Sequence, residues 1–245
     1  ALGRYEELDE DFRRSGELVG DFDTLAHRAD LRVLMGDLAG AERQYWAAQS
    51  LYRDINPVPL AWLHTQMGIA LLRFGQIERA AEFFGAAVER LPGYYLAEEH
   101  LAECEFLLGR LEQSRARYLR VIESTGQPEF MAALAEVESA RSDHAAAAEW
   151  NRRADLAFRR LIDRHGLAFA QHAAEFFLAQ GDLATAQRLA DDNLALRQDA
   201  GSWLLQAEVA LASEDRRTAC NALDKIRSAR LAPPELIELA PRAGC

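Results

Sequence analysis

The stretch WLHTQMGIALLRFGQIERAAEFFGAAVERLP, residues 62–92, carries apolar residues at helical spacing on both sides of one glycine, Gly75. Apolar side chains recurring every three or four residues form a stripe on one helix face, so the stretch predicts two amphipathic helices meeting at Gly75. AEEHLAECEFLLGRLEQSRARYLRVIE, residues 97–123, repeats the arrangement around Gly109. Aligning all such turns gives Gly3, Gly36, Gly75, Gly109, Ser142, Gly181 and Glu214, with successive spacings of 33, 39, 34, 33, 39 and 33 residues. A residue at the turn position has to adopt the left-handed conformation that ends one helix and lets the next begin at once. The prolines fall between these segments or beyond residue 232, and strand-like alternation is absent, so the chain reads as all-α.

A helical hairpin repeating at about 34 residues resembles the tetratricopeptide repeat family. In that family small residues recur at position 8 of helix A and position 20 of helix B, where two backbones approach closely. With the turn residue at position 15, position 8 holds Ala29, Gly68, Ala102, Ala135, Ala174 and Ala207, and position 20 holds Ala41, Ala80, Ser114, Ala147, Ala186 and Ala219. Tyr45, Phe84 and Tyr118 supply the large residue at position 24, Pro92 the proline at 32, and Trp203 the aromatic at 4. The resemblance implies a right-handed α-solenoid of about six complete hairpins, near 22–56, 57–94, 95–127, 128–166, 167–199 and 200–232. Residues 1–21 read as helix B of an incomplete repeat and 233–245 as a tail. Departures are Leu8 in that first unit, Asn151 and Ala190 at position 24, and the charged Arg32, Glu105 and Glu138 at position 11. The two 39-residue steps imply a longer helix B or an inserted loop.

Charge narrows the partners. A net charge of −11 repels nucleic-acid backbones and anionic membranes, and no basic stripe interrupts it. No apolar run approaches the roughly twenty residues needed to span a bilayer. The segment after Ala1 lacks a basic and apolar leader, which leaves the cytoplasm as the default compartment, although a cleaved leader would leave no trace in this sequence. Cys104, Cys220 and Cys245 show no metal-binding spacing and read as two buried small residues and a thiol on the tail.

The resemblance places the inner wall of the solenoid on helix A. Its position 9 holds Asp30, Ile69, Glu103, Glu136, Glu175 and Glu208, five of the six acidic. Adjacent carboxylates raise each other's energy unless a cation compensates, so a basic peptide or protein face suits this wall; a solvated acidic face would give the same pattern. Glu99 belongs with this set. His27, His100 and His172 stand three residues before Asp30, Glu103 and Glu175, the spacing of neighbours on a helix, which predicts local His–carboxylate pairs more than a metal site. Trp62, Phe106, Leu96, Leu72, Leu178 and Leu211 form an apolar floor that serves either as inter-repeat core or, with the acids, as a seat for a basic amphipathic helix. The Lys/Asn/Arg clamp with which some members hold acidic tails is missing, and no enzyme motif or cofactor fingerprint is present. The chain is therefore expected to be a non-enzymatic interaction scaffold. Self-assembly into a homo-oligomer is the alternative, and a metal-dependent regulator or enzyme the third class.

Overall fold

The computed structural model describes residues 20–245 together with Tyr5, Glu7, Glu10 and Arg14. Among these the regular structure is helical: α1 (Phe22–Leu34), α2 (Leu38–Leu51), α3 (Pro57–Arg73), α4 (Ile77–Arg90), α5 (Tyr95–Leu107), α6 (Leu111–Thr125), α7 (Pro128–Ala140), α8 (His144–His165), a 3₁₀ turn (Gly166–Phe169), α9 (Ala170–Ala179), α10 (Leu183–Leu196), α11 (Ala200–Ala212), α12 (Arg216–Ser228) and α13 (Pro234–Ala243). The helices begin where local chemistry satisfies free N–H groups. Asn56 accepts from the Val58 amide ahead of Pro57, and Asp182, Asp199 and Asp215 cap α10, α11 and α12 through Thr185, Ser202 and Thr218.

The described turn residues all take positive φ, from 61° to 80°, and these include the two without glycine, Ser142 at 64° and Glu214 at 61°. After Gly75 the Gln76 amide donates back to the Leu71 carbonyl at 2.9 Å, closing the C-terminus of α3 before α4 begins. The two longer steps use both available devices. Residues 52–56 form a loop between α2 and α3, whereas α8 runs for 22 residues into the 3₁₀ turn.

The small residues at positions 8 and 20 are buried throughout, at 7% exposure or less for every alanine and for Ser114. Gly68 shows why size matters there. A Cβ at that position would lie 2.5 Å from Cε1 of Phe84, a ring that is itself fully buried on α4. The hairpin closes only because α3 has no side chain at this point.

Two compact units emerge. The larger holds the described residues of 18–30 and 38–157; the smaller holds those of 1–17, Leu31–Asp37 and Phe158–Cys245. In the smaller unit Leu31, Leu204, Ala207, Leu223, Ile226, Leu236 and Leu239 share one core. Gly36 meets the backbone there: the Ala232 amide donates to the Leu34 carbonyl at 2.9 Å, and a Cβ on Gly36 would lie 2.7 Å from the Ala232 oxygen.

Two features expected from the sequence change. Residues 233–245 are not a tail, since α13 starts 34 residues after α11 and buries Leu236, Leu239, Ala240 and Ala243 in the position that a further helix A would occupy. Cys220 and Cys245 are not separate thiols but a disulfide, with Cα atoms 5.9 Å apart, leaving Cys104 as the buried free cysteine. Of the expected helix over 1–21, Tyr5, Glu7, Glu10 and Arg14 are helical, and the Tyr5 hydroxyl accepts from the Ala200 amide at 3.1 Å; the rest lies outside the described residues.

Candidate functional site

The best-formed cluster of functional groups lies in the larger unit on α5, with α7 packed beside it. Helical spacing puts Glu99, His100 and Glu103 on neighbouring turns of α5. His100 Nδ1 lies 3.1 Å from Glu103 Oε2, and its Nε2 lies 3.0 Å from Glu99 Oε1. The imidazole also stacks on Phe84, with centroids 5.1 Å apart and ring planes 19° apart. Phe84 thus contacts both the Gly68 backbone and the His100 ring.

Burial by itself would lower the His100 pKa. The hydrogen bonds to Glu103 and Glu99 outweigh it and hold the imidazole at about 9, so at neutral pH this residue is an internal cation. Burial pushes the Glu99 carboxyl up, and the hydrogen bond from His100 opposes that rise. Glu136, facing Glu103 from α7, is exposed and makes no hydrogen bond or ion pair among the described residues. Its carboxyl is nevertheless raised, by the surrounding protein first and by Glu103 second. Tyr118 lies within the field of Glu103, Glu99 and Glu136, and its phenol is pushed up by burial and by those charges. The arrangement can hold one proton firmly on His100 and leaves Glu136 uncompensated.

One ligand atom each from Glu99, His100 and Glu103 lies within 4.8 Å of the others, close enough to consider a metal ion. Both imidazole nitrogens already face carboxylates, and an ion would have to displace a proton held up to about 9. The donor set therefore suits a protonated histidine better than a metal ligand.

The other predicted residues are distributed as follows. Asp30 accepts a 2.5 Å hydrogen bond from the Tyr45 hydroxyl, and burial raises its carboxyl. His27 makes no hydrogen bond to it, because His27 Nδ1 lies 2.7 Å from the Asp23 carbonyl oxygen instead. Trp62 is half-buried, its ring 6.1 Å from that of His27. Phe106 packs against the core of Tyr118, Phe130 and Leu134. His172, Glu175 and Glu208 belong to the smaller unit. There His172 Nδ1 lies 3.2 Å from Glu175, and Glu208 has its carboxyl raised to about 6, by burial first and by Glu175 second.

The position-11 charges, which the sequence offers only as departures, form a network beside the cluster. Glu105 accepts two hydrogen bonds from Arg117, at 2.8 and 3.1 Å, and Arg117 also pairs with Glu98. Glu138, 1% exposed, accepts from Arg115 at 2.7 Å and pairs with Arg141. Arginine at positions 21 and 23 of helix B was the available signal.

A family model for the tetratricopeptide repeat matches residues 71–137, the segment that carries this cluster. That segment matches the tetratricopeptide repeat, and helical hairpins of the same kind continue on both sides of it. Solved structures of similar fold include the apo form of RapI, at 14% identity, 91% of this chain, 90% of that one and a TM-score of 0.59. A thermophilic tetratricopeptide repeat protein of Thermus thermophilus matches at 17% identity, 75% of this chain, 97% of that one and a TM-score of 0.52. At such identities the likeness concerns fold alone. No curated protein matches the sequence. The tetratricopeptide repeat is a fold of protein and peptide interaction, and no helix among the described residues is long and apolar enough to cross a membrane.

Proposed function

We propose that this chain is a binding scaffold whose α5–α7 wall takes a basic, amphipathic segment of another protein. The observation that carries the reading is Glu136, an exposed carboxylate without a partner among the described residues, whose ionised form is disfavoured by the surrounding protein first and by Glu103 second. An arginine or lysine placed between them relieves that repulsion, while Phe106 beside them offers apolar contact. His100 neutralises part of the wall from within, so the partner's cation belongs on the Glu136 side.

The test is a fluorescence-anisotropy titration with a synthetic helical peptide that alternates leucine and arginine at helical spacing, against a control in which each arginine is glutamate. Binding of the arginine peptide should weaken severalfold between 0.05 and 0.5 M salt. It should fall roughly tenfold in the Glu103→Gln, Glu136→Gln double variant. Equal binding of both peptides, or an unchanged affinity in the double variant, would reject this reading.

A further inference from the structure

In the smaller unit α13 is a short amphipathic helix. Leu236, Leu239, Ala240 and Ala243 are buried against α11 and α12, while Ile237 on the opposite side is 71% exposed. Ten residues are too few to hold a helix in water without packing. Its position rests on that apolar face and on what ties its far end. Two contacts do so: the Cys220–Cys245 disulfide back to α12, and the Arg227 Nη2 donor to the Cys245 carbonyl at 3.0 Å. The leash before it, residues 229–233, passes through Arg230 at a φ of 57°. Once seated, α13 brings Arg242, Glu235 and Glu238 to the neighbourhood of Glu208 on α11, with Glu175 on the same side. Glu208 is one of the acids that the repeat pattern assigns to the binding wall, so α13, stacked where a next helix A would stand, extends that wall beside Glu208 and brings it one cation, Arg242, together with the carboxylates of Glu235 and Glu238.

We propose that α13 is a redox-latched helix beside Glu208, seated on α11 and α12 while the Cys220–Cys245 bond is intact and displaceable by an amphipathic partner helix once the bond is reduced. The reductant is a dithiol. One of its thiolates attacks a sulfur of the bond and forms a mixed disulfide, and its second thiol then displaces the protein sulfur. Two electrons and two protons pass to Cys220 and Cys245, and the reductant leaves as its own disulfide. Cys104 stands apart from this exchange because burial pushes its thiol up to about 12. What α13 uncovers matters for partners only if the acidic walls bind them as proposed above, but the latch is tested independently of Glu103 and Glu136.

The experiment uses the full chain, untreated and after dithiothreitol, and a Cys220→Ser, Cys245→Ser double variant. Thiol counting on denatured, untreated protein should find one free thiol, rising to three on reduction; three at the outset would overturn the latch. Hydrogen exchange should show the α13 amides opening roughly 100-fold faster in the reduced chain and the double variant, with α10 and α11 unchanged. An unchanged α13 would overturn the proposal, and so would protection lost across the whole smaller unit, which would make the bond a fold-wide staple. A labelled peptide of residues 234–243 should bind the double variant and not the oxidised chain. Equal binding to both, or to neither, counts against a displaceable helix.

Discussion

Two hairpins, α5–α6 in the larger unit and α11–α12 in the smaller, are built on the same plan with different chemistry. Both pack two helices together with buried small residues at positions 8 and 20, Ala102 and Ser114 in one and Ala207 and Ala219 in the other. Around that contact α5–α6 buries ions: Glu105 at position 11 is held by Arg117, and Tyr118 fills position 24. The corresponding positions of α11–α12 are Ala210, Ala222 and Leu223, all buried and apolar. The difference teaches that the close approach of two backbones sets the hairpin, and that what surrounds it can be either a charged network or hydrocarbon.

The strongest way to break that comparison is to remove one ion from the first hairpin. Arg117→Ala strands Glu105 and Glu98 in a partly buried site and should cost about 3 kcal/mol in urea denaturation. The double change Glu105→Leu, Arg117→Leu, which makes the site resemble α11–α12, should recover most of it. If the single and double variants were equally unstable, the charges would not be interchangeable with hydrocarbon.

Next in size is the backbone contact itself. Gly68→Ala places a methyl against the immobile ring of Phe84 and should cost about 2 kcal/mol, read by the same denaturation. It should also loosen His100, which stacks on that ring.

The two units also differ in pH response. The folded-state pKa of His100 is raised from 6.5 to about 9, so its contribution is fully present below 6.5 and is lost as pH rises through 9. The size is on the order of 2 kcal/mol, and His100→Ala should abolish it. Glu208 is also raised, from 4.5 to about 6, which for a carboxyl means that the ionised form is the disfavoured one. Stability from that site is present below 4.5 and lost as pH climbs through 6, by about 1 kcal/mol after allowance for solvent screening. Glu208→Gln should remove that part of the lower window, leaving the share of Asp30, Glu99 and Glu136, and keep the upper window intact, as followed by urea midpoints from pH 4 to 10.

The smallest effect sharpens the comparison at one atom. Ser114 Oγ is buried without a hydrogen-bond partner among the described residues, whereas the other hairpins carry alanine at position 20. Ser114→Ala should stabilise the chain by about 1 kcal/mol, seen as a rise of a few degrees in Tm.

Much of this fold was legible because its two governing signals are local and repeated. The left-handed turn at position 15 and the paired small residues at 8 and 20 follow from backbone geometry, so Ser142 and Glu214 could be placed even without glycine. The His100–Glu103 and His172–Glu175 pairs followed from helical spacing alone. What escaped depends on distance in space. Nothing in a 25-residue separation marks Cys220 and Cys245 as partners. Helix α13 starts on the 34-residue period, but Pro241 stands where a small position-8 residue would be, which hid it. His27 lies against the Asp23 carbonyl, while Asp30 accepts from Tyr45, fifteen residues on. Glu105 and Glu138 looked like flaws because Arg117 and Arg115, which donate to them, sit on a neighbouring helix.

The central claim is that the α5–α7 wall holds carboxylates whose charge awaits a cation from a partner. Carbon-13 NMR titration of the Glu136 side-chain carboxyl tests it most directly. It should titrate above 4.5 in the free chain, move down in Glu103→Gln, and fall further when the arginine peptide is added. A Glu136 that titrates at or below 4.5 in the free chain, indifferent to Glu103 and to the peptide, would contradict the account.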